Sequence, residues 1–446
     1  MKRPLRVAWF SVLNCGAEPG ASVSAYTSDC LLPHLRERFE IELFHPSFSR
    51  YHDWPTRHYL EAASRHADLP FDVFFYQLED SPEAAFTRIH VGLLPGVVLF
   101  HDLMFSSHGP EPILNSPWRE TLKKFQDPGH PWPARGSEFE QEGPLGCREA
   151  GYAAVALFSN PASHADYRNN VGTRLALPGS RVPSFYLPLP APCRPVLEQS
   201  AAEGALRIAY CGTPRIEHRA HKLCSALCSL RAPWQLEWLI DEGERAQAEA
   251  IAGEFGLSQV RFHCGRSPER WARILGGCNA AVHTLFSVFG QPGPYLQLSL
   301  MAGLPVLVTR FASCESLPDN LVWKIEPGET EAAEMREVLA HLAAGGRSAE
   351  RRCVRDFAIE TFDARTVAGE LARVFENHSE YLRMVLQRWQ GLRHDAGRAL
   401  LQELRDGTWA GERREELCID PRRAWDRLVR PIFAELGWKE RGEQNA

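Results

Sequence analysis

No apolar run in this chain approaches the ~18 residues that a membrane-spanning helix needs, which excludes a helical membrane span. The amino terminus, MKRPLRVAWFSVL, pairs positive charge with a short apolar stretch but has no convincing small-residue cleavage site, so it reads as a first strand. Excess positive charge is also missing. Fifty Lys and Arg stand against 56 Asp and Glu, a formal net charge of −6. That balance gives no support to nucleic acid as a partner, because a bound polyanion calls for a basic footprint. The twelve cysteines form no CxxC pair. Cys224 and Cys228 fall one helical turn apart and could hold zinc, but small core residues in a reducing compartment are the simpler reading. No metal is expected, and no solenoid-period repeat occurs. What remains is an ordinary core-forming composition, 44% hydrophobic and 24% charged over 446 residues, with room for two domains and an appendage.

Apolar runs alternate with helical spacing along most of that length. Strands are expected at Arg6–Val12, Ile41–Phe44, Val73–Leu78, Gly96–Phe100 and Val155–Ser159, with a helix over 21–39 whose Tyr26, Leu31, Leu35 and Phe39 share one face. Between Ser106 and Gly146, Pro, Gly, Trp and acidic residues suggest a long loop region. The proline-rich stretch Val182–Pro195 reads as a linker. A second set of strands follows at Leu206–Gly212, Leu236–Ile240, Val260–Cys264, Ala280–Leu285 and Pro305–Thr309. Such alternation implies α/β architecture with two Rossmann-like parallel sheets facing a cleft. The expected units are residues 1–190, a linker over 191–204, a second sheet domain over 205–356 and helices over 357–446, of which Phe357–Phe375 packs back on the body.

Four polar constellations fall at expected strand ends, where open parallel sheets bind ligands. Asn14–Ser24 is rich in small residues and precedes a helix, which lets backbone N–H groups approach a bound group. It does not match GxGxxG, so a dinucleotide site is disfavoured. His101-Asp102 ends the apolar run after Gly96; taken alone, the pair is explained more simply as a cap of the next segment. Gly212-Thr213-Pro-Arg215 through Arg219 and Lys222 is a strand, turn and helix start with the cations for a diphosphate cradle, or a solvated basic face. Finally, Gly290-Gln291-Pro292-Gly293 precedes a short apolar helix whose amino terminus would point at an anionic ligand.

In order and spacing these segments resemble the retaining GT-B glycosyltransferases of family 4 (group 1). AEPGASVSAYTSDCLLPHL resembles that group's glycine loop and following helix, and DVFFYQLEDSPEAAF its Tyr-Gln strand and turn. LLPGVVLFHDL resembles its Pro-Gly-Val-Val-Leu-His-Asp strand. FGQPGPYLQLSLMAGLPVLVTRFASCESLPDN resembles its donor-site helix, Gly-x-Pro-Val strand and Glu-Leu-Pro-Asp turn. Together they span roughly residues 5–375. Some positions depart from the pattern. Ser22 stands where glycine is usual, Gln291 and Leu298 where the donor helix carries charged groups, and Ser316 where Glu is usual, with Glu315 a neighbouring stand-in. An amide such as Gln291 can bond a sugar hydroxyl but supplies no charge.

The resemblance implies transfer of a hexose-type sugar from a nucleotide diphosphate sugar, with retention, no metal and no cofactor; no DxD motif is present to bind a metal-held diphosphate. Arg219, with Arg215 or Lys222, is expected to hold the diphosphate, and Gly212, Thr213, Gly290, Gln291, Pro292, Gly293 and Glu315 to line the donor site. His101 is expected against the donor sugar with Asp102 fixing its ring, and Gly20, Ser22, Tyr26 and Gln77 on the acceptor side. The acceptor class stays open among glycan, lipid-linked sugar and protein. The alternative is a catalytically silent relative that senses nucleotide sugars or scaffolds a partner; an epimerase-like enzyme is disfavoured for want of a carboxylate cluster. A cytoplasmic protein is expected, with a peripheral membrane contact left open for the tail after Glu376.

Overall fold

A computed structural model describes residues 3–15, 22–47, 49–103, 147–168, 182–192, 204–265, 267–286, 293–346 and 351–405. The first part of the chain gives strands β1 (Leu5–Phe10), β2 (Phe39–His45), β3 (Thr56–His58), β4 (Val73–Leu78), β5 (Val97–Phe100), β6 (Val155–Phe158) and β7 (Ser184–Tyr186). All pair in parallel, in the order β3-β2-β1-β4-β5-β6-β7. The central strands β4, β5 and β6 are buried along their whole length, as a parallel sheet covered on both faces requires. Val7, Trp9, Phe75 and Leu99 pack on one face, and Phe10, Phe44, Tyr76 and Val98 on the other.

Helices α1 (Val23–Leu35), α2 (Ala62–Asp68), α3 (Ala85–Leu93), α4 (Cys147–Tyr152) and α5 (Pro161–Asp166) accompany this sheet. Their starts follow local chemistry: Ser22 caps α1 by accepting from Ala25 N–H, and Asn160 caps α5 with Pro161 at its first position. Gly96 is required by packing, because a Cβ there would lie 2.1 Å from the Phe74 carbonyl oxygen.

The second sheet holds β8 (Leu206–Cys211), β9 (Trp234–Ile240), β10 (Val260–Cys264), β11 (Ala280–His283), β12 (Val306–Thr309) and β13 (Trp323–Ile325), again all parallel. Its order is β10-β9-β8-β11-β12-β13. Helices α6 (Ala220–Cys228), α7 (Arg245–Glu254), α8 (Pro268–Leu275), α9 (Pro294–Met301) and α10 (Glu331–Ala343) pack around it. Each sheet therefore reverses its strand order once, between β1 and β4 and between β8 and β11. Crevices outside strand carboxyl ends open at such points.

Residues expected as one helix over Phe357–Phe375 form two. Helix α11 (Arg351–Phe362) packs on α9 of the second unit, and α12 (Ala364–Arg405) returns to α1 and β4 of the first. The break at Asp363 is where the chain pairs with Ala191: Ala191 N–H donates to Phe362 O at 2.7 Å, and Ala364 N–H to Ala191 O at 3.0 Å. Leu371, Phe375, Val385 and Trp389 of α12 are buried against the first sheet, each worth roughly 1.5–3 kcal/mol. Trp389 also donates its ring N–H to Gly92 O at 3.1 Å. The stretch read as a proline-rich linker contains β7, which lies at the sheet edge. Among the described residues, no helix is long and apolar enough to cross a membrane. The expected loop region over 106–146 lies outside the described residues.

Candidate functional site

The segments that follow the carboxyl ends of the two sheets meet. Helix α5, which follows β6, touches the 3-10 turn Ala312–Cys314, which follows β12. Asp29 of α1 also feels the charge of Glu269 at the start of α8. The expected site residues fall on both walls, except Gly20, Gly290, Gln291 and Pro292, which lie outside the described residues.

On the first wall, His101 follows β5 and is buried, 1% exposed. Its ring is held by Gln77 and Ser159, with Nε2 at 2.9 Å from Gln77 Oε1 and Nδ1 at 3.3 Å from Ser159 Oγ. Gln77 sends its amide N–H groups to Ser11 Oγ and Ser28 Oγ (3.1 and 2.8 Å), and Ser28 accepts from Trp9 at 3.0 Å. The amide oxygen can only accept, so Nε2 carries the ring proton. Burial drives the imidazole pKa down to about 3, and the ring is neutral at pH 7.

This corrects the role expected of Asp102. Its Oδ2 accepts the Asp80 N–H at 3.0 Å, while Gln77 and Ser159 orient the histidine. Burial, with the charges of Glu79 and Asp80, pushes the Asp102 carboxyl up to about 7 against the Asp80 hydrogen bond. Gln77 thus stands behind His101 rather than open to an acceptor.

The amino terminus of α1 is likewise already occupied. Glu79, buried at the end of β4, accepts from Ser22 Oγ (3.0 Å) and from Ser24 N–H (2.8 Å), and Ser81 Oγ reaches its other oxygen at 2.9 Å. A carboxylate from within the chain fills the position where a bound group was expected. Tyr26 is buried in the first turn of α1. Glu79 had a sequence signal: an acidic residue directly after the apolar strand VFFYQL.

On the second wall, the turn after β8 is pinned. Tyr210 Oη and Thr284 Oγ1 both donate to His218 O (2.8 and 2.6 Å), and Phe286 N–H donates to Glu217 O at 2.7 Å. Gly212 permits the close approach, since a Cβ would meet Tyr210 Oη at 2.3 Å. The Thr213 hydroxyl is buried here with no hydrogen-bond partner among the described residues.

Arg219 differs from expectation. It sits in the left-handed region (φ 59°, ψ 25°), a conformation unfavourable for a residue with a Cβ. Its Nε donates to Glu331 Oε1 and Oε2 at 3.1 and 2.9 Å, its Nη2 also bonds Glu331, and the guanidinium lies 5.3 Å from the Phe286 ring centre. Glu331 is fully buried. Half of the fork is committed to a carboxylate 112 residues away, a partner no local pattern reveals. Arg215 is exposed and Lys222 partly exposed, and neither has an ion-pair partner among the described residues. Gly293 (φ 64°) opens α9. Glu315 is exposed, and its carbonyl accepts from Lys324 Nζ at 2.7 Å.

No family model and no curated protein matches the sequence. Solved structures do. Sucrose-phosphate synthase from Thermosynechococcus elongatus superposes with a TM-score of 0.61 at 14% identity, covering 84% of this chain and 98% of that one. Anabaena HepE in complex with UDP and glucose gives 0.56 at 14% identity over 84% and 100%. WaaG, a glycosyltransferase of lipopolysaccharide biosynthesis, gives 0.52 at 15% identity over 83% and 99%. Two parallel sheets, the order reversal in each and the returning carboxyl-terminal helix are common to one architecture, and the chain has the GT-B fold of these glycosyltransferases.

Proposed function

We propose that the chain transfers a hexose-type sugar from a nucleoside diphosphate sugar to a glycan, lipid-linked or protein acceptor, with retention at the anomeric carbon and without a metal ion. The observation that carries this reading is Thr213. Its hydroxyl is buried without a partner at the β8–β11 switch point, on a turn held by Tyr210, Thr284 and Phe286. A buried polar group left unbonded costs about 1–3 kcal/mol, a cost removed when a ligand bonds it.

In this reading Arg215 and Lys222 hold the diphosphate, and Arg219 contributes the nitrogen not engaged by Glu331. Their charges are set where negative charge builds on the leaving group. The amino terminus of α9 behind Gly293 adds its dipole. His101 and Asp102 face the donor sugar from the opposite wall, the neutral imidazole fixed in one tautomer by Gln77. Ser22 and Tyr26 lie toward the acceptor. Because HepE was solved with UDP and with UDP-glucose, uridine donors are the first to try.

The test is a thermal-shift panel of UDP-, GDP-, ADP- and dTDP-sugars. A donor at about a hundredfold above its Kd stabilises by about 2.7 kcal/mol. For a unit of this size that is roughly 5–10 °C. Thr213→Val should weaken the shift. A panel in which no sugar nucleotide moves Tm by more than about 1 °C would reject the reading. A second reading, a silent nucleotide-sugar sensor, is favoured by Glu79 in the α1 terminus and Glu331 on Arg219. It requires a donor that raises Tm yet releases no free nucleotide over hours.

A further inference from the structure

A second polar cavity lies along the outer edge of the second sheet. It measures about 490 Å³, opens to solvent, and lies on β8, β9, β10 and α8, lined by Arg207, Glu237, Arg261, His263, Arg270 and Arg273. Arg207, its residue on β8, stands at the amino end of that strand, opposite the carboxyl end where the switch-point crevice lies. The cavity is therefore apart from the donor crevice described above.

Its charge does not balance. Glu237, 2% exposed, accepts from Arg207 Nη2 at 2.8 Å and His263 Nε2 at 2.6 Å, with Arg261 looser at 3.8 Å. Burial opposes the charge of Glu237, but these donors outweigh it and hold its carboxyl below the usual range. One carboxylate thus faces four guanidinium groups, leaving three positive charges among the lining residues. Arg270 and Arg273 have no ion-pair partner among the described residues, and Arg207 Nε is buried and unbonded.

Two glycines border the guanidinium heads. A Cβ at Gly277 would come within 3.0 Å of Arg207 Nη1, and one at Gly265 within 3.0 Å of Arg270 Nη1. Arginine forks match phosphate oxygens in pairs, and Arg261, Arg270 and Arg273 are open enough to reach a bound group. The volume falls in the range of small-ligand sites.

We infer that this cavity binds a phosphate-bearing ligand, separately from the crevice between the sheets. Three unbalanced charges suit a phosphate dianion better than a single carboxylate. The phosphate belongs either to a small soluble ester or to a lipid headgroup.

The test is arginine footprinting with p-hydroxyphenylglyoxal on the full chain, reading each arginine by mass spectrometry. The probes are inorganic phosphate and, in a separate arm, phosphatidic acid vesicles against phosphatidylcholine vesicles. With phosphate about fourfold above its Kd, the free fraction falls to about one fifth, so modification of Arg261, Arg270 and Arg273 should slow about fivefold. Arg352, exposed on α11 and part of neither site, should react unchanged. Protection by phosphate identifies a soluble ester as the source, and protection by phosphatidic acid vesicles alone identifies a headgroup. No protection by either, or equal slowing at Arg352, overturns the inference. The paired substitution Arg270→Gln with Arg273→Gln should abolish protection at Arg261, and protection that persists there is equally fatal. Folding of that variant is checked by its Tm without ligand.

Discussion

Replacing Glu331 by Gln is the sharpest test of how the second wall is assembled. Glu331 is fully buried, and Arg219 is 16% exposed with one face on Phe286. Removing one partner of a buried pair costs about 3–5 kcal/mol, because the remaining charge is stranded. Here solvent and the Phe286 ring take up part of that charge, so the lower end, about 3 kcal/mol, is expected. For a unit of 150–250 residues this lowers Tm by roughly 6–12 °C in calorimetry. Adding Arg219→Met should recover most of the loss, since neutral side chains replace a buried pair at little cost. The double-mutant cycle should return a coupling of about 2 kcal/mol. If Glu331→Gln melts within about 1 °C of the parent, the pair does not hold the turn and the assignment of Arg219 to it fails.

Other outcomes follow from particular contacts. The Asp102 carboxyl is raised to about 7 in the fold against about 3.8 unfolded, so the folded state binds the extra proton between those values. Its contribution is complete below pH 4 and is lost as pH rises through 7. Asp102→Asn should therefore gain Tm relative to the parent across pH 4–8, and a difference independent of pH contradicts the burial argument. Gly96→Ala should destabilise by more than the 1–3 kcal/mol usual for overpacking, since its Cβ would meet backbone rather than a movable side chain. Urea unfolding at unchanged slope measures it. Trp389→Ala should cost about 3–5 kcal/mol by the same assay, and near-neutrality would mean α12 is not anchored on the first sheet.

The sheets were legible in the sequence wherever strands were long and buried. Val73–Leu78 is read at its true ends because a continuous apolar run marks a central parallel strand. The strands β3, β7 and β13 have three residues each, too few for any period to show. In β7 the surrounding prolines hid an edge strand, the position where proline is tolerated. Helical periodicity could not reveal the break at Asp363, because both α11 and α12 continue the same pattern and their division depends on Ala191. At the site, sequence placed His101, Thr213, Arg215 and Arg219 at strand ends. It could not see that Glu331 takes part of Arg219, or that Gln77 rather than Asp102 orients His101, because these pairings join residues 112 and 24 positions apart.

The chain passes between its two sheets twice, once through Ala191 and once through Asp363, and the passages are bonded side by side. Bonded at one bridge, the two passages join the units at a single place rather than by two separate tethers. A rotation of one unit against the other about this bridge would move the far rims most and the strand ends near Ala191 least. With α12 clamped to the first sheet beyond this point, the second unit together with α11 is the body that turns.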